Sequence, residues 1–267
     1  MRTVCKRYHQ AQELHEQGVP VISTDEKTGI QALEPIHPSH PMRPSHPEAV
    51  EFEYERHGTQ ALIANVEVAT GRVIAPSIGD TRTEADFVAH LAATVDTDPQ
   101  AEWIFIGDQL NTHQPASLVE FVAPRCAIEG YLGRKEKEGI LKSMASRAAF
   151  LQDPTHRIRF VYTPKHCSRL NQIEIWLGIL TRRLLKRGRF ASTEELKQRI
   201  LAFITFFNQD PRQAVSLDLY REAADGVSSP ENFRCDVLHN HQIPAASRSM
   251  SALSVRSQVK PGSVRPK

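Results

Sequence analysis

No apolar run in this sequence approaches the roughly 18 residues that a membrane-spanning helix requires. The opening stretch MRTVCKRYHQAQELHEQG also lacks the apolar segment of a secretory signal. Cysteine is scarce: Cys5, Cys126, Cys167 and Cys235 stand far apart and form no CxxC pair. That argues against a disulfide framework and a structural zinc site, and for reduced thiols in a cytosolic protein. Charge of one sign is lacking too, since 33 Lys and Arg face 31 Asp and Glu, a formal net charge of +2. The chain as a whole therefore does not announce a nucleic-acid binder, and no internal repeat is present. What remains, 40% hydrophobic and 24% charged residues, suits one large globular domain or two small ones.

The charge is unevenly spread. Arg182, Arg183, Lys186, Arg187 and Arg189 fall within eight residues, and the last twenty residues hold basic charge and no acid. Such a cluster is the footprint of phosphate contact, or else a solvated helix face.

Local patterns predict a mixed α/β sheet. VPVISTD (19–25) reads as a buried strand ending in an acid. The Pro-rich IHPSHPMRPSHP is a loop, and its histidines lack zinc-ligand spacing. EFEYERHG alternates acid and aromatic, an edge-type strand with Phe52 and Tyr54 inward. TQALIANVEVATGRVIAPSI predicts two strands joined at Thr70–Gly71, and Thr83 to Ala93 a helix bearing Phe87, Leu91 and Val95. EWIFIGD is a further buried strand, 115–150 reads as mostly helical, and RIRFVYTP is a strand stopped by Pro164. A helix follows, with Ser168 as its expected N-cap; a second opens on the Ser192–Glu195 capping box, with Leu196, Ile200, Phe203 and Phe207 on one face. From Gly226 onward there is no period and one aromatic, the composition of a disordered tail.

Three acids occupy comparable places. Asp25 closes the first strand, Asp108 closes the fourth, and Glu174 lies in the first turns of the helix after the fifth. Ends of neighbouring parallel strands form the ligand crevice of open α/β sheets. Three carboxylates meeting there repel one another unless a hard divalent cation intervenes. Such a set suits phosphoryl transfer with two Mg²⁺ ions. Taken singly, Asp25 and Asp108 also read as turn residues and Glu174 as an acid at a helix N-terminus. Glu26 competes with Asp25, but adjacent strand residues face opposite sides.

STDEKTGIQALEP, DQLNTH, KSMASRAAFL, RIRFVYTPKH and LNQIEIW with LTRRLLKRGRF together resemble bacterial insertion-sequence transposases of the insertion sequence 630 family, in the mariner-related DDE superfamily. The resemblance runs from about Val19 to Gln209. It implies a ribonuclease-H-like fold over 19–209, with Asp25, Asp108 and Glu174 as catalytic acids and ligands of two Mg²⁺ or Mn²⁺ ions. It implies nicking of double-stranded DNA at transposon ends and attack of the freed 3′-hydroxyl on target DNA, by a homodimer in the bacterial cytoplasm, associated with the nucleoid. Arg182, Arg183, Lys186, Arg187 and Arg189 become candidate DNA contacts. Asn111 and His113 become candidate positioners of substrate or metal-bound water, or else polar caps of the next helix.

The sequence departs from the family pattern in four ways. The interval from Asp108 to Glu174 is longer than is usual in the wider superfamily, which fits a helical insertion at GRKEKEGILKSMASRAAF. Arg169 and Gly178 stand where Trp and Ser are usual. Residues 1–18 are too few for the helix-turn-helix domain that family members carry, and read as an N-terminal remnant. Finally, members end on something like TLAKPFRWTYTGRPL, whereas this chain reads DPRQAVSLDLYREAAD. One permitted codon choice for the latter, read one nucleotide later, spells the former. A frameshift near Gln209–Asp210 is therefore expected, with 210–267 an unselected, disordered tail; the gene's nucleotide sequence decides it. Truncation and frameshift are each a route by which such an enzyme loses activity, so the chain is expected to be a DDE transposase catalytic domain, active or inactivated by them. The alternative readings are a non-catalytic DNA-binding or inhibitory fragment, with 169–187 and 192–208 as a helix-turn-helix, and a ribonuclease-H-like nuclease without strand transfer.

Overall fold

Runs rich in Val, Ile, Leu and Phe build one five-stranded sheet. The computed structural model describes residues 2–38, 42–47, 51–108, 114–164 and 167–209. Asn111, His113 and the 210–267 tail lie outside the described residues. Strands β1 (Val21–Pro35), β2 (Tyr54–Glu67) and β3 (Val73–Gly79) form an antiparallel meander. Strands β4 (Trp103–Gly107) and, after the small hairpin described below, β7 (Ile158–Tyr162) lie parallel to β1, in the order β3-β2-β1-β4-β7. Hairpin-linked strands followed by parallel strands reached through helices give the ribonuclease-H-like mixed sheet that the resemblance implies.

Period-two alternation divides the strands between two helix layers. On one face, Leu62, Ala64 and Val66 pack against Ile173, Trp176, Leu177 and Leu180 of α6 (Ile173–Leu180) and Leu196, Ile200, Ile204 and Phe207 of α7 (Thr193–Gln209). Helices α1 (Arg2–His9) and α2 (Ala11–Glu16) complete that layer, setting Val4, Tyr8 and Ala11 against Val21, Ile104 and Ile106. On the other face, Ile22, Ile63, Phe105 and Phe160 meet α3 (Glu84–Val95), α4 (Ala116–Arg125) and α5 (Met144–Leu151). Thr83 caps α3 in a reciprocal box with Asp86. Both α6 and α7 thus spend their apolar faces on the sheet. Among the described residues no helix is long and apolar enough to cross a membrane.

Several expectations are corrected. The first strand does not stop at Asp25: it passes a register irregularity after Lys27, where Gly29 adopts φ +64°, and continues to Pro35 alongside β2. Phe52 and Tyr54 do not turn inward, being 81% and 44% exposed. Among the described residues they belong to none of the three buried clusters. The stretch GRKEKEGILKSMASRAAF is helical only in its second half, within α5; in its first half β5 (Gly133–Arg134) and β6 (Glu138–Gly139) form a hairpin. Gly133 and Gly139 sit opposite each other at φ +102° and +70°, and a Cβ on Gly133 would stand 2.1 Å from the Glu138 carbonyl oxygen. Two glycines that must close a turn outweigh the helical charge pattern between them. Ser168 does not cap α6. It opens a separate 3-10 turn, Ser168–Leu170, and the α6 N-cap is Gln172, with no side-chain capping bond.

Candidate active site

The sheet register sets the first two acids level. β1 and β4 pair as Val21 with Ile104, Ile22 with Phe105 and Ser23 with Ile106. Continued two steps, that register places Asp25 beside Asp108, the residue that follows Gly107, on strands about 4.8 Å apart. The Thr163 N–H donates to the Gly107 carbonyl at 2.9 Å, holding the end of β4 against its other neighbour. Alternation also gives both acids one face. Val21, Ile104 and Ile106 pack together, so positions 25 and 108 fall on the side that carries α6. Glu26 points the other way. It is nearly buried and pairs with Arg82, just ahead of α3.

Asp25 is buried, 6% exposed, yet held by polar partners. Its Oδ1 accepts from the Glu26 N–H at 2.7 Å, and its Oδ2 accepts from Asn171 Nδ2 at 3.3 Å. Asn171 Nδ2 also donates to the Thr24 carbonyl at 2.8 Å, and Asn171 Oδ1 accepts from the Ser23 hydroxyl. The Ser23 oxygen in turn accepts from the Ile173 N–H at 3.0 Å. From α1, Tyr8 donates its hydroxyl to the Leu170 carbonyl at 2.7 Å and accepts from the Gln172 N–H at 3.2 Å. Burial pushes the Tyr8 phenol well above its ordinary pKa, so it stays protonated and able to donate. The start of α6 is therefore tied to β1 right beside Asp25.

This explains how a carboxylate lives in LNQIEIW. Ile173, Trp176 and Leu177 are buried, whereas Glu174 is exposed, with its N–H bonded to the Asn171 carbonyl at 3.1 Å. Gly178 and Arg182 follow on the same stripe at i+4 and i+8, and the Arg182 guanidinium lies back over Gly178. Beyond Leu180 the helix widens into a π turn, Thr181–Leu185, where Lys186 N–H bonds the Thr181 carbonyl and the Thr181 hydroxyl bonds that of Leu177. Arg182, Arg183, Lys186, Arg187 and Arg189 are all exposed.

The family model of the DDE superfamily endonuclease matches residues 20–197, a span that opens just before β1 and closes inside α7. The chain belongs to this family. No curated protein matches it. Among solved structures it is similar to the Mos1 mariner paired-end complex with Mn at 16% identity and TM-score 0.49, covering 85% of this chain and 64% of that one. It is similar to the catalytic domain of Mos1 mariner transposase at 15% identity and TM-score 0.47, covering 85% of this chain and 95% of that one. The chain spans less than two thirds of the Mos1 chain in the paired-end complex.

In this DDE endonuclease the described residues contain no group of three His, Cys, Asp or Glu side chains close enough to hold one metal ion. The donors are nonetheless of the kind that Mg²⁺ takes, because it is commonly held by one or two carboxylates and substrate phosphates rather than by a closed protein cage. Asp25 and Asp108, on adjacent strands, would be such a pair. Tyr8, Ser23 and Asn171 are absent from the sequence-based reading of the site. The one signal for them was polar Asn171 among apolar neighbours, since a buried amide needs partners.

Proposed function

We propose that the chain is the catalytic domain of a transposase of the insertion sequence 630 kind, cutting and joining DNA at transposon ends. Asp25, Asp108 and Glu174 are its catalytic acids. The observation that carries this reading is the shared register and face of Asp25 and Asp108, with Glu174 presented to solvent from a helix start pinned beside Asp25. Asp25 and Asp108 would hold Mg²⁺ or Mn²⁺, and Glu174 would complete the set. Bound there, a pair of divalent ions supplies a stronger nucleophile and relief of negative charge on the leaving oxygen.

The protein's own part is positional. The Glu26 N–H and the Asn171 amide fix the Asp25 carboxylate, and exposed Glu174 meets the DNA side of the cleft. The exposed basic residues from Arg182 to Arg189 face the phosphate backbone in largely sequence-blind contacts that weaken as salt rises. Partners in this reading are double-stranded transposon ends and target DNA, engaged by a homodimer in the cytoplasm of a bacterium.

The test is cleavage of labelled transposon-end DNA with Mg²⁺ or Mn²⁺ by the full chain and by Asp25→Asn, Asp108→Asn and Glu174→Gln. Cleavage that needs metal and falls at least about 100-fold in each variant supports the reading. Equal cleavage by all four chains removes the three acids from it. A pre-nicked end separates strand transfer from hydrolysis alone.

A further inference from the structure

We propose that Asn171 is a positioning residue for the metal-binding pair, setting the plane of the Asp25 carboxylate and the register of the Glu174 helix against it. The inference rests on the site proposed above.

Asn171 is fully buried at the junction of β1 and α6. An amide there is costly unless satisfied, and an apolar residue would pack with less risk. This amide is satisfied in a particular way. Its Nδ2 divides its donors between a backbone carbonyl, Thr24 O at 2.8 Å, and a carboxylate oxygen, Asp25 Oδ2 at 3.3 Å. Only the second bond concerns the acid; the first anchors the amide to the strand. Its Oδ1 takes the Ser23 hydroxyl, whose oxygen accepts the Ile173 N–H at 3.0 Å.

The result is a closed path from strand to helix and back. Ser23 and Asp25 lie on the same face of β1, two residues apart, and Asn171 spans them. The backbone carbonyl of Asn171 accepts the Glu174 N–H at 3.1 Å, so a shift of Asn171 moves both acids. Asp25 Oδ1 accepts from the Glu26 N–H and Oδ2 accepts from Asn171 Nδ2, so two donors on different elements together fix the plane of the carboxylate. Partners that orient a ligating carboxylate in this manner typically change metal affinity about 10- to 100-fold when removed.

The experiment reads Mn²⁺ binding to the full chain by electron paramagnetic resonance, without DNA or turnover, beside thermal unfolding. Asn171→Ala is expected to weaken Mn²⁺ binding at least about tenfold. Ser23→Ala, which strips the hydroxyl from Asn171 Oδ1 and leaves Asn171 in place, weakens it in the same direction and serves as the deciding variant should Asn171→Ala fail to fold. Asp25→Asn is the reference. Unchanged Mn²⁺ affinity in the folded variant, with binding lost in Asp25→Asn, overturns the positioning role. So does a lowered unfolding temperature with no change in affinity, the mark of a merely structural amide. Unchanged binding in Asp25→Asn overturns the metal site itself, and this inference with it.

Discussion

Asp25 shows how polar partners hold a buried carboxylate: a backbone N–H and a side-chain amide each donate to one of its oxygens. Its strand neighbour Glu26 is satisfied by Arg82 on the opposite face, which separates a pairing acid from a candidate ligand at adjacent positions. A second buried polar residue has a different consequence. His90 on α3 is 1% exposed, bonded to the Ser77 hydroxyl at 2.9 Å through Nδ1, with no partner at Nε2. Burial lowers its pKa from 6.5 to about 4. The folded-state value lies below the unfolded one, so the unfolded chain binds the extra proton between them. The contribution of neutral His90 is complete above pH 6.5 and is lost as pH falls toward 4, on the order of 3 kcal/mol. Urea midpoints of the native chain should therefore fall across that window, and His90→Leu should flatten the fall. Equal slopes in the two chains would place the acid sensitivity elsewhere. At this scale Asp108 directly follows β4 and Glu174 stands at the head of α6, as the sequence patterns predict, whereas Asp25 lies inside β1 and not at its end. The sequence does not show Tyr8 or Ser23, whose roles depend on contacts more than 140 residues away in the chain.

Among elements, those with strong periods are legible: Phe87, Leu91 and Val95 on α3, Leu196, Ile200 and Phe207 on α7, and the apolar run of β4 are all buried. Elements set by one or two backbone positions are not. The charged run between Gly133 and Gly139 has the composition of a helix, and its hairpin is visible only in the glycine pair that frames it. A Cβ on Gly139 would lie 2.6 Å from the Gly133 Cα, at φ +70°. Gly139→Ala is expected to cost about 1–3 kcal/mol from this crowding and strain, read as a lower denaturant midpoint. An unchanged midpoint would mean that the hairpin opens at little cost. The π turn at Thr181–Leu185 is likewise beyond a 3.6-residue pattern. It follows from the Thr181 hydroxyl bonding back to Leu177, with Gly178 leaving room for Arg182.

For the whole molecule, the sheet order does most to define the site. A parallel β1–β4 ladder brings positions 25 and 108 together from 83 residues apart (the Val21–Ile104 offset), and α6 returns to the same face by way of β7. The mixed sheet and its helix layers follow from strand and helix patterns in the sequence, while the tether between layers does not. Whether the three acids bind metal is tested most directly by diffraction at the manganese absorption edge from crystals of the full chain grown with Mn²⁺ and transposon-end DNA. Anomalous density touching Asp25 and Asp108 and reached by Glu174 is the expected result. Ordered manganese elsewhere, with none beside Asp25 and Asp108, would contradict the account.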